Sequence, residues 1–350
     1  VTEPDKNQLK YYLLRQKQFA EQQNELKELA AFPAVTTDGH QVAIAANIGV
    51  VEDVGGALES GSDGIGLYRT EFLYIGREDL PDEREQFEAY KAVAQKLNGK
   101  PVIIRTLDIG GDKEIESFAH PEEANPFLGW RGIRISLSKP NVFKTQLRAI
   151  LRASAFGNIL VMYPMISGVE EVRQANNILV AAKTELRAEG QPFDDNLKVG
   201  VMIEVPSAAV TADIIAPAAD FFSIGTNDLC QYTLAVDRIN EKISDLYQPL
   251  HPAILRLIKN VIDVSHQHGK KTTICGELAG DPAATLILLG LGLDEFSMSS
   301  SSIPQIKKII RSVSMQKARE VAERALAMQT PRQTSEYAVD VLRDLGVIGV

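Results

Sequence analysis

The sequence predicts an α/β protein of the (β/α)8 barrel class, preceded by an N-terminal linker helix. Three observations carry this expectation. Short apolar runs recur along the chain, each nearly continuous in apolar residues, as parallel strands buried on both faces are. Helix-like segments lie between the runs, so the repeating unit is β then α. The competing arrangement, an open doubly wound sheet, usually has fewer strands, and no Gly-x-Gly-x-x-Gly follows the first run.

Taken in order, the chain starts with residues 7–30, "NQLKYYLLRQKQFAEQQNELKELA". There Leu9, Leu13, Phe19, Leu26 and Leu29 recur at roughly helical spacing among Gln, Glu and Lys. This reads as a polar amphipathic arm. Residues 1–30 are expected to be a linker at the end of a preceding region, and 31–350 the barrel. The runs begin with "VAIAANIG" (42–49), "GIGLYRTE" (64–71), "PVIIRTLDIG" (101–110) and "ILVMYPMI" (159–166). They continue with "LKVGVMIEVP" (197–206), "DFFSIGTND" (220–228), "KTTICGE" (271–277) and "DEFSMSS" (294–300). Helical segments between them include "DEREQFEAYKAVAQKL", "VEEVRQANNILVAAKTELRAEG" and "PAILRLIKNVIDVSHQHG".

Composition narrows the function classes. The 350 residues are 45% hydrophobic and 24% charged, as in a soluble globular protein. No apolar run approaches the roughly 18 residues of a membrane span, so no membrane insertion is expected. The two cysteines, Cys230 and Cys275, argue against a disulfide framework and fit a cytoplasmic location. A net charge of −9 argues against nucleic acid as a partner.

In a barrel of this class the active site lies at the C-terminal ends of the strands. The runs end in Asn47; Arg69 and Glu71; Arg105 and Asp108; Met165; Glu204; Asn227 and Asp228; Cys275 and Glu277; and Ser299. Arg69 and Arg105, on neighbouring strands, are costly to bury without an anionic partner. Lys113, Arg131 and Arg238 add positive charge, and guanidinium forks match phosphate or carboxylate oxygens. The expected ligand is a small, highly charged anion. The plainer alternative for Arg131 is pairing with acidic neighbours. Glu204 and Asp228, on adjacent strands, suit a hard divalent cation such as Mg2+, completed by ligand and water oxygens. No His or Cys cluster has zinc spacing. Cys275 is placed to exchange a proton with a bound carbon acid, or else simply packs; Cys230 reads as packing. The five histidines, His40, His120, His251, His266 and His268, avoid the strand ends and read as structural or exposed.

The stretch "DFFSIGTNDLCQYTLAVDR" resembles the signature of the phosphoenolpyruvate-utilising enzymes. "GIGLYRTEFLY", "IIRTLDIGGDK", "ANPFLGWRGIRI", "QLRAILRASAFG", "VGVMIEVPSAA" and "CGELAGDPAAT" resemble the same family, in order, most clearly from 30 to 310. Within it the likeness is to the C-terminal domain of enzyme I of the bacterial sugar phosphotransferase system. "QYTLAVDR" favours that group over the dikinase and synthase types, which share the barrel. The resemblance implies a homodimeric barrel that binds phosphoenolpyruvate and Mg2+. It implies that Arg69 and Arg105 hold the phosphoryl group, with Lys113 and Arg131 close by. It implies that Asn227 and Arg238 hold the pyruvate portion and phosphate, that Glu204 and Asp228 ligate Mg2+ beside the substrate, and that Cys275 protonates the enolate to pyruvate.

One departure matters. The family passes the phosphoryl group to a histidine in a Gly-Gly-x-Thr-Ser-His-type segment of a separate N-terminal domain, which then serves the phosphocarrier protein HPr. Neither that segment nor the carrier-binding helical domain occurs in this sequence. The chain is therefore expected to bind phosphoenolpyruvate and dimerise without its own acceptor. Two alternatives remain at this stage: a dikinase- or synthase-type barrel, and a non-catalytic phosphoenolpyruvate-sensing module. The tail "PRQTSEYAVDVLRDLGVIGV" carries no functional signal.

Overall fold

The computed structural model describes residues 5–110 and 123–347. Each apolar run contains a parallel strand: β1 (Ala43–Ile48), β2 (Gly64–Arg69), β3 (Val102–Arg105), β4 (Ile159–Tyr163), β5 (Lys198–Ile203), β6 (Phe221–Ile224), β7 (Thr272–Ile274) and β8 (Glu295–Met298). They hydrogen-bond in sequence order, and β8 pairs with β1 to close the barrel. The expected (β/α)8 fold is what the chain forms.

The arm is helix α1 (Lys6–Ala30). The outer ring follows as α2 (Asp53–Glu59), α3 (Glu83–Lys96), α4 (Ile133–Ser138), α5 (Pro140–Ser154), α6 (Val169–Ala188), α7 (Pro206–Val210) and α8 (Ala212–Ile215). It continues with α9 (Thr226–Leu234), α10 (Pro252–Gln267), α11 (Pro282–Gly290) and α12 (Ile303–Arg311). α13 (Met315–Leu326) follows, and the tail forms α14 (Pro331–Asp344); both pack on α11. Several starts are set by local capping. Asp82 accepts from Glu85 N, Asp281 from Ala283 N, Ser314 from Lys317 N and Thr330 from Gln333 N. His251 does the same for α10 through Nδ1, which makes it structural, as expected.

Two layers of core result. The outer one lies between strands and helices and holds most of the buried Ile, Leu, Val and Ala side chains. The inner one fills the barrel with Leu67, Ile103, Met162, Met202, Phe221 and Cys275. Gly200 makes room there for Phe221, whose ring lies 2.2 Å from where a Cβ would stand. The rest of the interior is polar, with Asn47, Ser223, Thr273, Ser297 and Glu295 facing inward from β1 and β6–β8. Barrels of this class are usually filled there by branched side chains.

Glu295 has a buried Oε1 without a hydrogen-bond partner among the described residues, at the base of this polar column. Burial, with Asp63 and Asp294 nearby, raises its carboxyl to about 7 against the pull of Lys271. The folded state therefore holds this proton more tightly than the unfolded chain. The resulting stability is present below the unfolded value and is lost as pH rises through about 7. Relative to Glu295→Gln, the parent should lose about 2–3 kcal/mol between acidic and mildly alkaline pH. Urea titrations across that range check this, and parallel pH curves for the two proteins would refute it.

α1 joins the barrel through its C-terminal end. Lys307 Nζ on α12, itself 2% exposed, donates to Ala30 O at 2.9 Å and to Gly61 O at 2.6 Å. Arg311 Nη1 donates to Pro33 O at 2.8 Å. Towards the other end, Leu9, Tyr11, Tyr12, Leu13 and Leu14 are exposed.

Candidate functional site

The C-terminal ends of the strands surround a cavity of about 350 Å³. Its lining includes Arg69, Arg105, Arg131, Glu204, Asn227, Asp228, Arg238 and Cys275. Residues separated by up to two hundred positions in sequence are thus brought to one mouth. Lys113 lies outside the described residues.

The local origins differ from the sequence reading most clearly after β6. Asn227 and Asp228 do not end a strand; β6 stops at Ile224 and both residues lie in the first turn of α9. Gly225 ends the ladder, and a side chain there would meet Glu204 Oε2 at 2.6 Å. The carboxylate of Asp228 consequently sits where a helix N-terminus favours negative charge. Arg131 comes from the loop before α4. The next residue, Gly132, has φ +57°, and a Cβ there would approach Met165 Cβ at 2.9 Å and Asp108 Oδ1 at 3.1 Å.

The arginines divide into two kinds. Arg69 and Arg105 are register partners on β2 and β3, yet Arg69 is exposed and Arg105 is buried. Arg105 is gripped by Glu71 at 2.7 Å and by Asp108 at 2.9 Å. Arg131, 3% exposed, contacts Asp108 at 3.3 Å and Asp228 at 3.1 Å. Burial opposes both charges, but these carboxylates overcome it and hold both guanidiniums charged. The acidic pairing that the sequence left as the plainer alternative for Arg131 is therefore present. Even so, Nε of Arg105 and Nε of Arg131 are buried donors without a hydrogen-bond partner among the described residues. Arg69, over the ring of Phe72, and Arg238 have no carboxylate partner among the described residues.

Glu204 is 1% exposed, and its Oε1 accepts from Met165 N at 2.6 Å. Met165 holds this amide with φ +57°, a rare conformation for a side chain of its size. Burial, then Asp228 and Asp108, raise the Glu204 carboxyl well above the ordinary carboxylate range. Buried carboxylates crowded together are a place where a divalent cation fits, because it adds to Arg105 and Arg131 in relieving the repulsion that otherwise favours a proton. Among the described residues no cluster of three or more His, Cys, Asp or Glu is arranged around one metal position. The chain thus offers Glu204 and Asp228, and such a cation would take its remaining oxygens from ligand and water.

Cys275, 5% exposed, has a thiol that burial pushes up to about 11. It is a thiol rather than a thiolate at neutral pH. Asn227 bridges to the loop after β7, where its Oδ1 accepts from Glu277 N at 2.9 Å. Cys230 is fully buried, away from the cavity lining.

Glu71 and Asp108 were legible as strand-end carboxylates, but not as holders of arginines. The signal was their spacing: each follows a strand-end arginine by two or three residues, in "RTE" and "RTLD". Tyr232, which accepts from Arg131 at 3.0 Å, gave no signal.

The profile described as "PEP-utilising enzyme, PEP-binding domain" matches residues 23–315. The chain is 56% identical to the phosphoenolpyruvate-protein phosphotransferase of Haemophilus influenzae, over 92% of this chain and 56% of that protein. It is 54% identical to the protein of that name from Buchnera aphidicola (91% and 56%) and 51% identical to the one from Staphylococcus carnosus (95% and 57%). The chain spans a little over half the length of these relatives. With most of its length matched by that profile, the chain belongs to the PEP-utilising enzymes, within their PEP-binding domain family.

Proposed function

We propose that the chain binds phosphoenolpyruvate with Mg2+ in the barrel mouth and supplies its phosphoryl group to a histidine on a separate N-terminal domain, releasing pyruvate. What supports this most is the uneven pairing of the arginines. Arg105 and Arg131 are fixed by carboxylates but keep buried Nε donors unfilled, while Arg69 and Arg238 lack acidic partners among the described residues. Such a set suits a small anion carrying both a phosphoryl and a carboxylate group. The name shared by the relatives favours this reading over the dikinase-type and sensing alternatives.

In this reading Arg69 and Arg105 hold the phosphoryl oxygens, with Arg131 beside them. Asn227 and Arg238 hold the pyruvate portion. Glu204 and Asp228 would hold Mg2+, which when bound supplies charge neutralisation at the phosphoryl oxygens. The bond between phosphorus and the enol oxygen breaks and a phosphorus–nitrogen bond forms on the acceptor histidine. The enolate left behind takes a proton at carbon from the Cys275 thiol, which burial keeps protonated until then. Residues 1–30 link to the acceptor region and 31–350 form the binding domain. A homodimer, a cytoplasmic setting and the carrier HPr downstream complete the proposal.

The chain mixed with the histidine-bearing domain of a relative, phosphoenolpyruvate and Mg2+ should yield phosphohistidine and pyruvate in equal amounts. No phosphohistidine under those conditions would defeat the reading. Calorimetry should also show phosphoenolpyruvate affinity falling at least tenfold when Mg2+ is removed by chelation, since like charges would then face the trianion unscreened. Undiminished affinity would remove Glu204 and Asp228 as ligands.

A further inference from the structure

Behind Cys275 the barrel interior carries hydroxyls where apolar side chains would pack. Thr273 Oγ1 donates to Ser223 Oγ at 2.9 Å, and Ser223 Oγ donates to Cys275 Sγ at 3.2 Å. Ser223 is fully buried and Thr273 is 4% exposed. Burying a hydroxyl costs free energy unless it is hydrogen-bonded, and here two in series are aimed at one sulfur. Ser223 is the sole hydrogen-bond donor on that sulfur among the described residues.

We propose that Ser223 is a positioning residue: its hydroxyl, oriented by Thr273, holds the negative charge on the Cys275 sulfur once the thiol gives up its proton. This rests on the reading above, in which Cys275 protonates the enolate. In that step the S–H bond breaks, a C–H bond forms at the enolate carbon, and the electron pair stays on sulfur. Water reprotonates the thiolate after pyruvate leaves. Other groups also act on the sulfur. Burial raises the thiol most, Glu204 beyond β5 raises it further, and Arg105 on β3 and Arg69 on β2 lower it. Neither arginine donates a hydrogen bond to the sulfur, so directional stabilisation falls to Ser223. Chained donors strengthen one another, and Thr273 supplies the second link.

The test uses the full chain with Cys230→Ala, so that Cys275 is its single thiol. Alkylation by iodoacetamide is followed against pH, from neutral to mildly alkaline, without phosphoenolpyruvate. Ser223→Ala should slow alkylation about tenfold at each pH, equivalent to an upward move of about one pH unit. Thr273→Val should act in the same direction by a smaller factor. A smaller alkylating reagent should give the same ratios, because the effect lies in thiolate content and not in access. An unchanged profile in Ser223→Ala overturns the proposal. If that variant does not fold, an unchanged profile in Thr273→Val overturns it. Phosphoenolpyruvate affinity, read separately by calorimetry, should be the same in Ser223→Ala and the parent. A parent that binds none would defeat the functional reading, whereas the alkylation profile decides the role of Ser223 on its own.

Discussion

Arg105→Ala is expected to abolish phosphoryl transfer and to destabilise the fold by about 3–5 kcal/mol. The two losses share one cause. Arg105 is 6% exposed and pairs with both Glu71 and Asp108, each 1% exposed. Removing it takes a cationic partner from each of two buried carboxylates, although Asp108 keeps Arg131 at 3.3 Å, and the cost of an under-compensated buried charge exceeds the modest worth of the pair itself. The variant has a way to reduce that cost, since the carboxylates that lose Arg105 can take up protons. Their raised proton affinity in the folded state gives stability at low pH that is lost as pH rises. The deficit in urea midpoint should therefore be smaller in acid than at neutral pH. Because an unfolded barrel transfers nothing, the informative comparison is Arg105→Ala combined with Glu71→Gln. The second change removes one of the two carboxylate charges that lose Arg105 and should recover part of the stability. Transfer should stay absent. Phosphohistidine formation in that double variant would show that Arg105 only balances its neighbours.

The second large effect is expected for Cys275→Ala. A positioned general acid contributes about 10²–10⁴ in rate. The forward reaction hides part of that, because enolpyruvate reaches pyruvate unaided in water. The reverse direction is cleaner. With pyruvate and Mg2+ in heavy water, the parent should exchange the methyl protons of pyruvate, and Cys275→Ala should do so at least a hundredfold more slowly. Affinity for phosphoenolpyruvate should stay within about twofold, since removing one small buried sulfur costs only about 1 kcal/mol of packing. Exchange at the parental rate, followed by NMR, would return Cys275 to the packing role of its neighbours Met202 and Phe221.

Strands were legible because a parallel strand covered on both faces must be apolar almost throughout. The same rule overran their ends. The run at 101–110 continues apolar past Arg105, yet β3 stops there, and Leu107 and Ile109 bury themselves against Tyr74 and Ile135 in a satellite cluster. Apolarity reports burial, not ladder pairing. The site was legible as a list because polar groups ending apolar runs stand out. Its internal wiring was not legible. Arg131 and Asp228 are 97 positions apart, and only closure of the barrel brings them to 3.1 Å. Which arginine has a carboxylate partner among the described residues and which has none depends on such closures. Ser223 escaped notice for the opposite reason: one serine within "FFSI" looks like strand filler until its neighbour on β7 is known.

The tie at Lys307 has a consequence for reach. α1 has 25 residues, or about 37 Å of helix at 1.5 Å per residue, and it is fastened at its last turn through Ala30. In the proposed arrangement a domain joined to its far end is held within about that length of the barrel. A partner confined within about 40 Å of the barrel searches a volume equivalent to a concentration on the order of millimolar. Lys307→Met would remove the hydrogen bonds to Ala30 O and Gly61 O, leave that of Arg311 to Pro33 O, and replace no residue that lines the barrel mouth. In the proposed arrangement its expected effect is on how often the second domain arrives there.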